Sequence, residues 1–221
     1  MENNDGSTKK INTGNPIIDE IYPQFRKFGG FLRERGFNSA SSGNISVKRG
    51  NKMYITRRGS MKGDLQPKDI VEVDLTKTES SIVIASTETY IHKNILLNTP
   101  GLATVHCHPP NTVALSIYYT EVLQQDFIVP IDVEGHYLLK KIPIVTLKNP
   151  TGSKEMEREI PKALENYTIA ILRGHGVFSR GPNLTEAYNW VTIMEEAATI
   201  IFKCLQIGMD IKKLQGKFES W

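Results

Sequence analysis

The sequence predicts a single domain of the α/β class. Short segments rich in β-branched residues alternate with segments whose apolar residues recur at helical spacing, and no repeat of fixed length is present. The 221 residues suffice for one core, and 39% hydrophobic with 23% charged residues is an ordinary globular composition. We expect residues 14–221 to form this domain and the polar residues 1–13 to form a disordered tail.

The predicted helices and strands follow one another along the chain. The first helix begins at Pro16, keeps a helical apolar period to Leu32, and is expected to end at Gly36. A hairpin should follow it, because two strand-like segments are joined by a short polar turn. We predict strands at 45–48, 53–56, 71–75, 81–84, 103–108, 142–145 and 168–172, and further helices at 87–97, 111–118, 153–164 and 184–205.

Overall composition argues against several classes of partner. The net charge of +3 is small and the basic residues are scattered, so we expect no nucleic-acid partner. No apolar run approaches the roughly 18 residues of a membrane span, and the N-terminal residues lack the apolar core of a signal peptide. Two cysteines give no disulfide framework, which favours the reducing environment of the cytoplasm.

The most informative segment is 103–110, where an apolar strand ends in two histidines one residue apart. Alternate residues of a strand share a face, so His106 and His108 should lie about 7 Å apart on one face while Cys107 points away. The pattern also occurs on solvated strand edges, and a catalytic zinc site needs three protein ligands. His175, between two glycines just beyond a predicted strand, is either the third ligand or a turn histidine facing solvent.

Other polar residues are candidates for acid–base chemistry and anion binding. Glu88 lies in the first turn of a predicted helix, where the helix dipole favours a carboxylate with or without a function. His92, one turn later, is either a rival metal ligand or, as we favour, a helix histidine bonded to Glu88. Ser41–Asn44, Arg58–Ser60 and Ser86–Thr87 offer backbone N–H groups and hydroxyls for a phosphate, although each alone is an ordinary turn.

Five motifs, taken in order, resemble the class II aldolase/adducin family. They are Ser-Gly-Asn-Ile-Ser-Val (42–47), Ile-Thr-Arg-Arg-Gly (55–59), Ser-Thr-Glu-Thr-Tyr-Ile-His (86–92), Val-His-Cys-His-Pro-Pro (105–110) and Gly-His-Gly (174–176). The set is specific, and the resemblance extends over about residues 16–207. It implies a three-layer α/β/α domain around a mainly antiparallel central sheet, assembled as a homotetramer with sites between subunits.

The resemblance also implies a metal site and a phosphate site. His106, His108 and His175 would hold one zinc ion per subunit, or another divalent metal. Glu88 would be the acid/base carboxylate, which can also occupy a metal position in the resting enzyme. The matching phosphate-binding positions are Ser41, Asn44, Gly59, Ser86 and Thr87.

Two positions are less clear in this comparison. Arg58 stands where the family often has a small polar residue, and it would either add charge to the phosphate pocket or face water. Tyr137 is a weak candidate for the tyrosine that a neighbouring subunit contributes, since its segment does not align cleanly.

The implied activity is that of a zinc-dependent class II aldolase of carbohydrate metabolism. It would cleave a ketose 1-phosphate of the fuculose-1-phosphate type to dihydroxyacetone phosphate and an aldehyde. A methylthioribulose-1-phosphate dehydratase shares the zinc ligands and is an alternative. A pentulose-phosphate 4-epimerase tends to have aspartate where Glu88 stands, and a non-catalytic adducin-like interaction module typically lacks the metal ligands that this chain keeps. The residues do not identify the aldehyde or its stereochemistry.

Overall fold

A computed structural model of the chain describes residues 13–215. The disordered tail that we predicted for residues 1–13 therefore lies, except for Thr13, outside the described residues. The helices of the described part are α1 (Pro16–Glu34), α2 (Thr89–Asn98), α3 (Pro110–Glu121), α4 (Val133–Leu139), α5 (Lys154–Asn166) and α6 (Leu184–Gln206). Its strands are β1 (Asn44–Arg49), β2 (Lys52–Thr56), β3 (Ile70–Asp74), β4 (Ala103–Cys107), β5 (Phe127–Ile128), β6 (Ile142–Val145), β7 (Ile169–Leu172) and β8 (Gly176–Gly181).

The strands form one sheet of eight in the order β3-β2-β1-β4-β8-β7-β6-β5. Only the β6–β7 pair is parallel, because α5 connects these two strands in a crossover, and every other neighbouring pair is antiparallel. This sheet carries helices on both faces, which confirms the predicted α/β/α architecture around a mainly antiparallel sheet.

The strands at the centre of the sheet are buried on both faces. On one face α2 and α5 pack over a core that includes Ile95, Ile160 and Phe178. On the other face α1, α3 and α6 cover a larger core that includes Val105 and Cys107. Burial on both sides explains why these strands read as continuous apolar runs in the sequence.

The local sequence explains where α1 begins and ends. The Asn15 side chain accepts hydrogen bonds from the backbone N–H groups of Ile17 and Ile18, at 3.0 and 3.2 Å, and so caps α1 at its N-terminus. Gly36, with a φ of +71°, follows the last turn of α1 as predicted.

The strand predicted at 81–84 is wrong. Ser80–Val83 forms a 3₁₀ turn, in which the carbonyl oxygen of Ser81 accepts hydrogen bonds from the N–H groups of Ile84 and Ala85. The apolar residues of this segment are not buried against a neighbouring strand, since Val83 is 68% exposed and Ile84 is 50% exposed. The elements β5, α4 and β8 were not predicted from the sequence. Within residues 13–215, none of the helices has the length and apolar character needed to cross a bilayer.

Candidate active site

Three histidines from two parts of the chain meet at the end of β4. His106 is in β4, His108 follows it, and His175 lies in the turn between β7 and β8. One ring nitrogen from each lies within 4.8 Å of the others, and the Nε2 atoms of His106 and His108 are 3.1 Å apart. The structure thus brings the three predicted metal ligands together. Cys107 points into the opposite core, where burial raises the pKa of its thiol well above the usual range.

The glycines beside His175 have different roles in this convergence. Gly174 has a φ of +68°, which lets the chain turn tightly from β7 into β8. Gly176 provides space, because a Cβ there would lie 2.4 Å from the carbonyl oxygen of Cys107 and 2.6 Å from Cδ2 of His108. The backbone N–H of His108 donates to the carbonyl of Phe37 at 2.8 Å, which fixes the segment beyond the end of β4.

Hydrogen bonds at Nδ1 determine which nitrogen of two imidazoles faces the centre. Nδ1 of His106 lies 2.8 Å from the carbonyl oxygen of Val177, and Nδ1 of His175 lies 2.5 Å from that of Pro150. A carbonyl oxygen only accepts hydrogen bonds, so each Nδ1 carries the hydrogen and donates it. In the neutral rings Nε2 therefore presents a lone pair, which is the arrangement typical of metal-binding histidines.

Glu88 faces these nitrogens with a buried carboxylate. Its Oε2 lies 3.2 Å from Nε2 of His106, and its Oε1 lies 3.7 Å from Nε2 of His175. Burial and the two neighbouring histidines hold the pKa of His106 well below its usual range. Burial and the charge of His175 lower the pKa of His108 to about 4. Both rings are therefore neutral near pH 7, and the contact between Glu88 and His106 is not an ion pair.

The contact between His106 and Glu88 is unfavourable without a cation. The lone pair on Nε2 of His106 faces an oxygen of the Glu88 carboxylate at 3.2 Å. A metal ion among these atoms would convert the repulsion into coordination. Three imidazole nitrogens and one carboxylate oxygen form the donor set of a zinc site, so the residues present fit this metal.

Asn44 holds the carboxylate in place. Its Nδ2 donates to Oε2 of Glu88 at 2.6 Å and to Oγ of Ser86 at 2.9 Å. The same hydroxyl oxygen accepts from the backbone N–H of Glu88 at 3.3 Å. Both hydrogens of the Asn44 amide are thus used within the site, and its Oδ1 has no hydrogen-bond partner among the described residues. Sequence analysis assigned Asn44 to phosphate binding only, whereas here it also orients Glu88.

The predicted phosphate-binding residues line the same cleft of about 400 Å³ as the histidines and Glu88. They are Ser41, Asn44, Gly59, Ser86 and Thr87. Ser86 and Thr87 precede α2, which begins at Thr89, so Glu88 is the N-cap residue and not a first-turn residue as predicted. The cleft is also lined by Arg57, Lys62 and the loop 151–152, which were not predicted from the sequence.

Lys62 is the least expected member of the cleft. It is 1% exposed, and its Nζ donates to the carbonyl oxygens of Ser60 and Ser41, at 2.7 and 3.1 Å, and to the Ser60 hydroxyl at 3.3 Å. Burial lowers its pKa to about 8, against the opposing effect of Asp69 and Glu88. A lysine in a polar, glycine-containing segment normally indicates a solvated turn, so the sequence offered no signal for its burial.

His92 does not make the bond that we expected. Only its backbone N–H reaches Glu88, at the carbonyl oxygen, whereas Nδ1 of its ring bonds to Oγ of Ser46 at 2.7 Å. The ring lies beside Phe178, and burial lowers its pKa to about 3. His92 is a neutral, buried residue next to the cleft.

Two other candidates are exposed. Arg58 lines the cleft and is exposed to solvent. Tyr137 is 72% exposed on α4 and does not line the cleft of its own chain.

The mostly antiparallel sheet between two helical layers matches the fold of the class II aldolases. Residues 25–202 match the family model of the Class II Aldolase and Adducin N-terminal domain, and the chain belongs to this family. Its homologues and structural neighbours are class II aldolases, which are lyases, and this confirms the prediction of an enzyme of that type.

Individual relatives align over most of the chain. The L-fuculose phosphate aldolase of Methanocaldococcus jannaschii is 33% identical over 180 residues, which are 80% of this chain and 93% of that protein. The crystal structure of l-fuculose-1-phosphate aldolase from Thermus thermophilus superimposes with a TM-score of 0.77 at 32% identity, covering 86% of this chain and 97% of that one. A 5-methylthioribulose-1-phosphate/5-deoxyribulose-1-phosphate aldolase of Rhodospirillum rubrum is 29% identical over 174 residues, 78% of this chain and 76% of the relative. The family therefore includes enzymes that are named for different substrates.

Proposed function

We propose that this chain is a zinc-dependent aldolase that cleaves a ketose 1-phosphate of the fuculose-1-phosphate type to dihydroxyacetone phosphate and an aldehyde. The observation that carries the proposal is the convergence of His106, His108 and His175 beside the Glu88 carboxylate, an oxygen of which faces the lone pair of His106 at 3.2 Å. The L-fuculose phosphate aldolases among the relatives support the choice of substrate class.

The metal would be held by Nε2 of His106, His108 and His175, with Glu88 as a further ligand before substrate binds. A bound zinc ion supplies the Lewis acid that polarises the carbonyl group of the ketose. We expect about one zinc per chain in purified protein, measured by plasma emission spectrometry. His108→Ala should lose both the zinc and the activity. Retention of a full equivalent of zinc by this variant would remove His108 from the ligand set.

Glu88 would carry the proton in the cleavage. The bond between C3 and C4 of the ketose breaks, the C4 hydroxyl gives up its proton as the aldehyde forms, and C3 takes up a proton to give dihydroxyacetone phosphate. The burial of Glu88 beside the three histidines and its orientation by Asn44 support this role.

The phosphate would bind where three segments of chain meet. Ser41, Asn44, Gly59, Ser86 and Thr87 line the cleft, and the last two precede the N-terminus of α2. Binding there would fix the substrate at a distance from the bond that breaks, so that the carbonyl group meets the histidines.

Assembly and location follow from the family as proposals. We expect residues 14–221 to act as one domain in a cytoplasmic homotetramer with sites between subunits. Tyr137 and Val133 are exposed on α4, at 72% and 56%, and a neighbouring subunit would cover them. Tyr137 would then reach the neighbour's cleft. Light scattering during size-exclusion chromatography gives the subunit number, and a monomer would rule out this role for Tyr137.

The test is a retro-aldol assay with zinc-loaded protein and a panel of ketose 1-phosphates. Release of dihydroxyacetone phosphate, coupled to its reduction, supports the proposal. The same panel without phosphate and a chelator-treated sample are the controls. Loss of substrate without dihydroxyacetone phosphate, with the carbon chain intact, would favour the dehydratase, and a change in configuration would favour the epimerase. Protein that binds neither zinc nor substrate would favour the adducin-like module.

A further inference from the structure

Lys62 has a backbone that is fixed from two sides. Its N–H donates to the carbonyl of Ala40 at 3.1 Å. Gly29 of α1 packs against its carbonyl, because a Cβ at that glycine would lie 2.3 Å from the Lys62 oxygen. The position of the residue therefore depends on the packing of α1 and not on the cleft itself.

Its side chain joins two segments that are distant in sequence. Nζ bonds to the carbonyl oxygens of Ser41 and Ser60. Ser41 belongs to the segment 41–44, which lines the cleft, and Ser60 directly follows the segment 57–59, which also lines it. Two loops that present N–H groups and hydroxyls to one anion need a defined spacing, and the ammonium group provides it.

The charge of Lys62 has no direct ionic partner among the described residues. No carboxylate oxygen of residues 13–215 forms an ion pair with Nζ, although the side chain is 1% exposed and Asp69 and Glu88 act on its charge from a greater distance. A buried cation without a direct anionic partner costs free energy in the folded state. Neutral carbonyl oxygens satisfy its hydrogen bonds but do not neutralise its charge. The cleft that Lys62 lines is open to an anion from solution.

We infer that Lys62 is a specificity-determining residue, which places a fixed positive charge behind the phosphate-binding loops and so selects phosphorylated substrates. The inference rests on the proposed phosphate site of the cleft and deepens it. Lys62 does not contact the phosphate, since its donors are already used on Ser41 and Ser60. It acts through its electrostatic field and by holding the two loops at a fixed spacing.

Sulfate binding to the zinc-loaded protein separates this role from catalysis. Sulfate is a tetrahedral dianion, and isothermal titration calorimetry measures its Kd without any turnover. Lys62→Met removes the charge and keeps the length and apolar stem of the side chain. We expect this variant to bind sulfate at least about tenfold more weakly, the effect of losing one favourable interaction with a charged group.

The matched control is Lys68→Met. Lys68 is exposed outside the cleft in the same stretch of chain, so its loss changes the net charge equally. We expect less than a twofold change in sulfate affinity. Lys62→Arg, which keeps the charge but not the geometry, should recover part of the affinity if it folds, and Lys62→Gln replaces the methionine variant if that protein does not fold.

Kinetics then give the readout that a structural role alone would not change. Lys62→Met should raise KM for the phosphorylated ketose about tenfold or more and change KM for the unphosphorylated ketose much less, with zinc content retained. Folded Lys62→Met protein with wild-type sulfate affinity would overturn the inference, whatever its activity. If sulfate binding depends on Lys62 but no dihydroxyacetone phosphate is released by wild type, the inference stands and the proposed function fails.

Discussion

Glu195 of α6 tests how the metal site is supported by the fold. Its buried carboxylate accepts hydrogen bonds from the backbone N–H groups of Asn111 and Thr112, at 3.0 and 2.8 Å, and from the Thr112 hydroxyl at 2.7 Å. These residues form the first turn of α3, which follows His108 directly in the chain. Ser116 of the same helix accepts a hydrogen bond from the N–H of Gly174 at 3.0 Å. Helix α3 thus contacts both segments that carry metal ligands outside β4.

These hydrogen bonds determine how much stability we expect Glu195→Gln to lose. The amide keeps one acceptor oxygen but turns an NH₂ group toward a backbone N–H, so at least one hydrogen bond to a charged group is lost. We expect the free energy of unfolding to fall by about 1.5–3 kcal/mol. Glu195→Ala would remove all three bonds and leave buried donors unpaired, which approaches the whole stability of a marginal domain of roughly 5–15 kcal/mol. The glutamine variant is therefore the informative one.

We also expect zinc affinity to fall by about tenfold, the lower end of the effect of residues that orient metal ligands. Urea unfolding of the metal-free protein measures stability, and competition with a chromophoric chelator measures zinc affinity. Glu196→Gln is the matched control, because Glu196 is the exposed neighbour on the same helix. If the stability fell and the zinc affinity did not change, the role of Glu195 would be limited to capping α3. If neither quantity changed, the contacts around α3 would not support the site.

Three further predictions concern the cleft. Glu88→Gln should keep most of the zinc and lose at least about 10²-fold in turnover, since it cannot transfer a proton, and near-wild-type turnover would contradict the acid/base role. Asn44→Ala should lower kcat/KM by about 10- to 150-fold. We expect KM to rise and kcat to fall as well, because Glu88 loses its hydrogen-bond partner. An effect on KM alone would leave Asn44 with only the phosphate-binding role. Sulfate affinity should be constant below about pH 8 and fall above it, because Lys62 is charged below its pKa of about 8 and neutral above, and Lys62→Met should lack this alkaline decrease.

Strand alternation was enough to predict that His106 and His108 share a face and that Cys107 does not. The ring of His106 stacks on Phe178 at 4.0 Å between centroids, on the α2 side of the sheet, while Cys107 belongs to the core beneath α6. Alternation gives the spacing of backbone positions and not the direction in which the rings lean, so the 3.1 Å approach of the two Nε2 atoms needed the structure.

Residues whose environment comes from distant parts of the chain were not predictable. Lys62 is buried because α1 packs on its backbone at Gly29, and neither residue carries a pattern that indicates this contact. The strand β8 has glycine at both ends, which weakens its signal. In α4, Val133 and Tyr137 are exposed, so its apolar residues do not form the single stripe that identifies a surface helix.

The register of three strands determines the position of the site more than any one residue does. Asn44 of β1 pairs with His106 of β4, and His106 pairs with Phe178 of β8. Residues paired in this way lie in one row across the sheet and point to the same face. The row carries Asn44, which orients Glu88, the predicted metal ligand His106, and Phe178, whose ring stacks on that of His106. A slip of one residue between β1 and β4 would turn Asn44 toward the opposite core and leave Glu88 without its donor, although every residue of the five motifs would still be present. The motifs therefore identify the parts of the site, and the antiparallel pairing of β1, β4 and β8 brings them to one cleft.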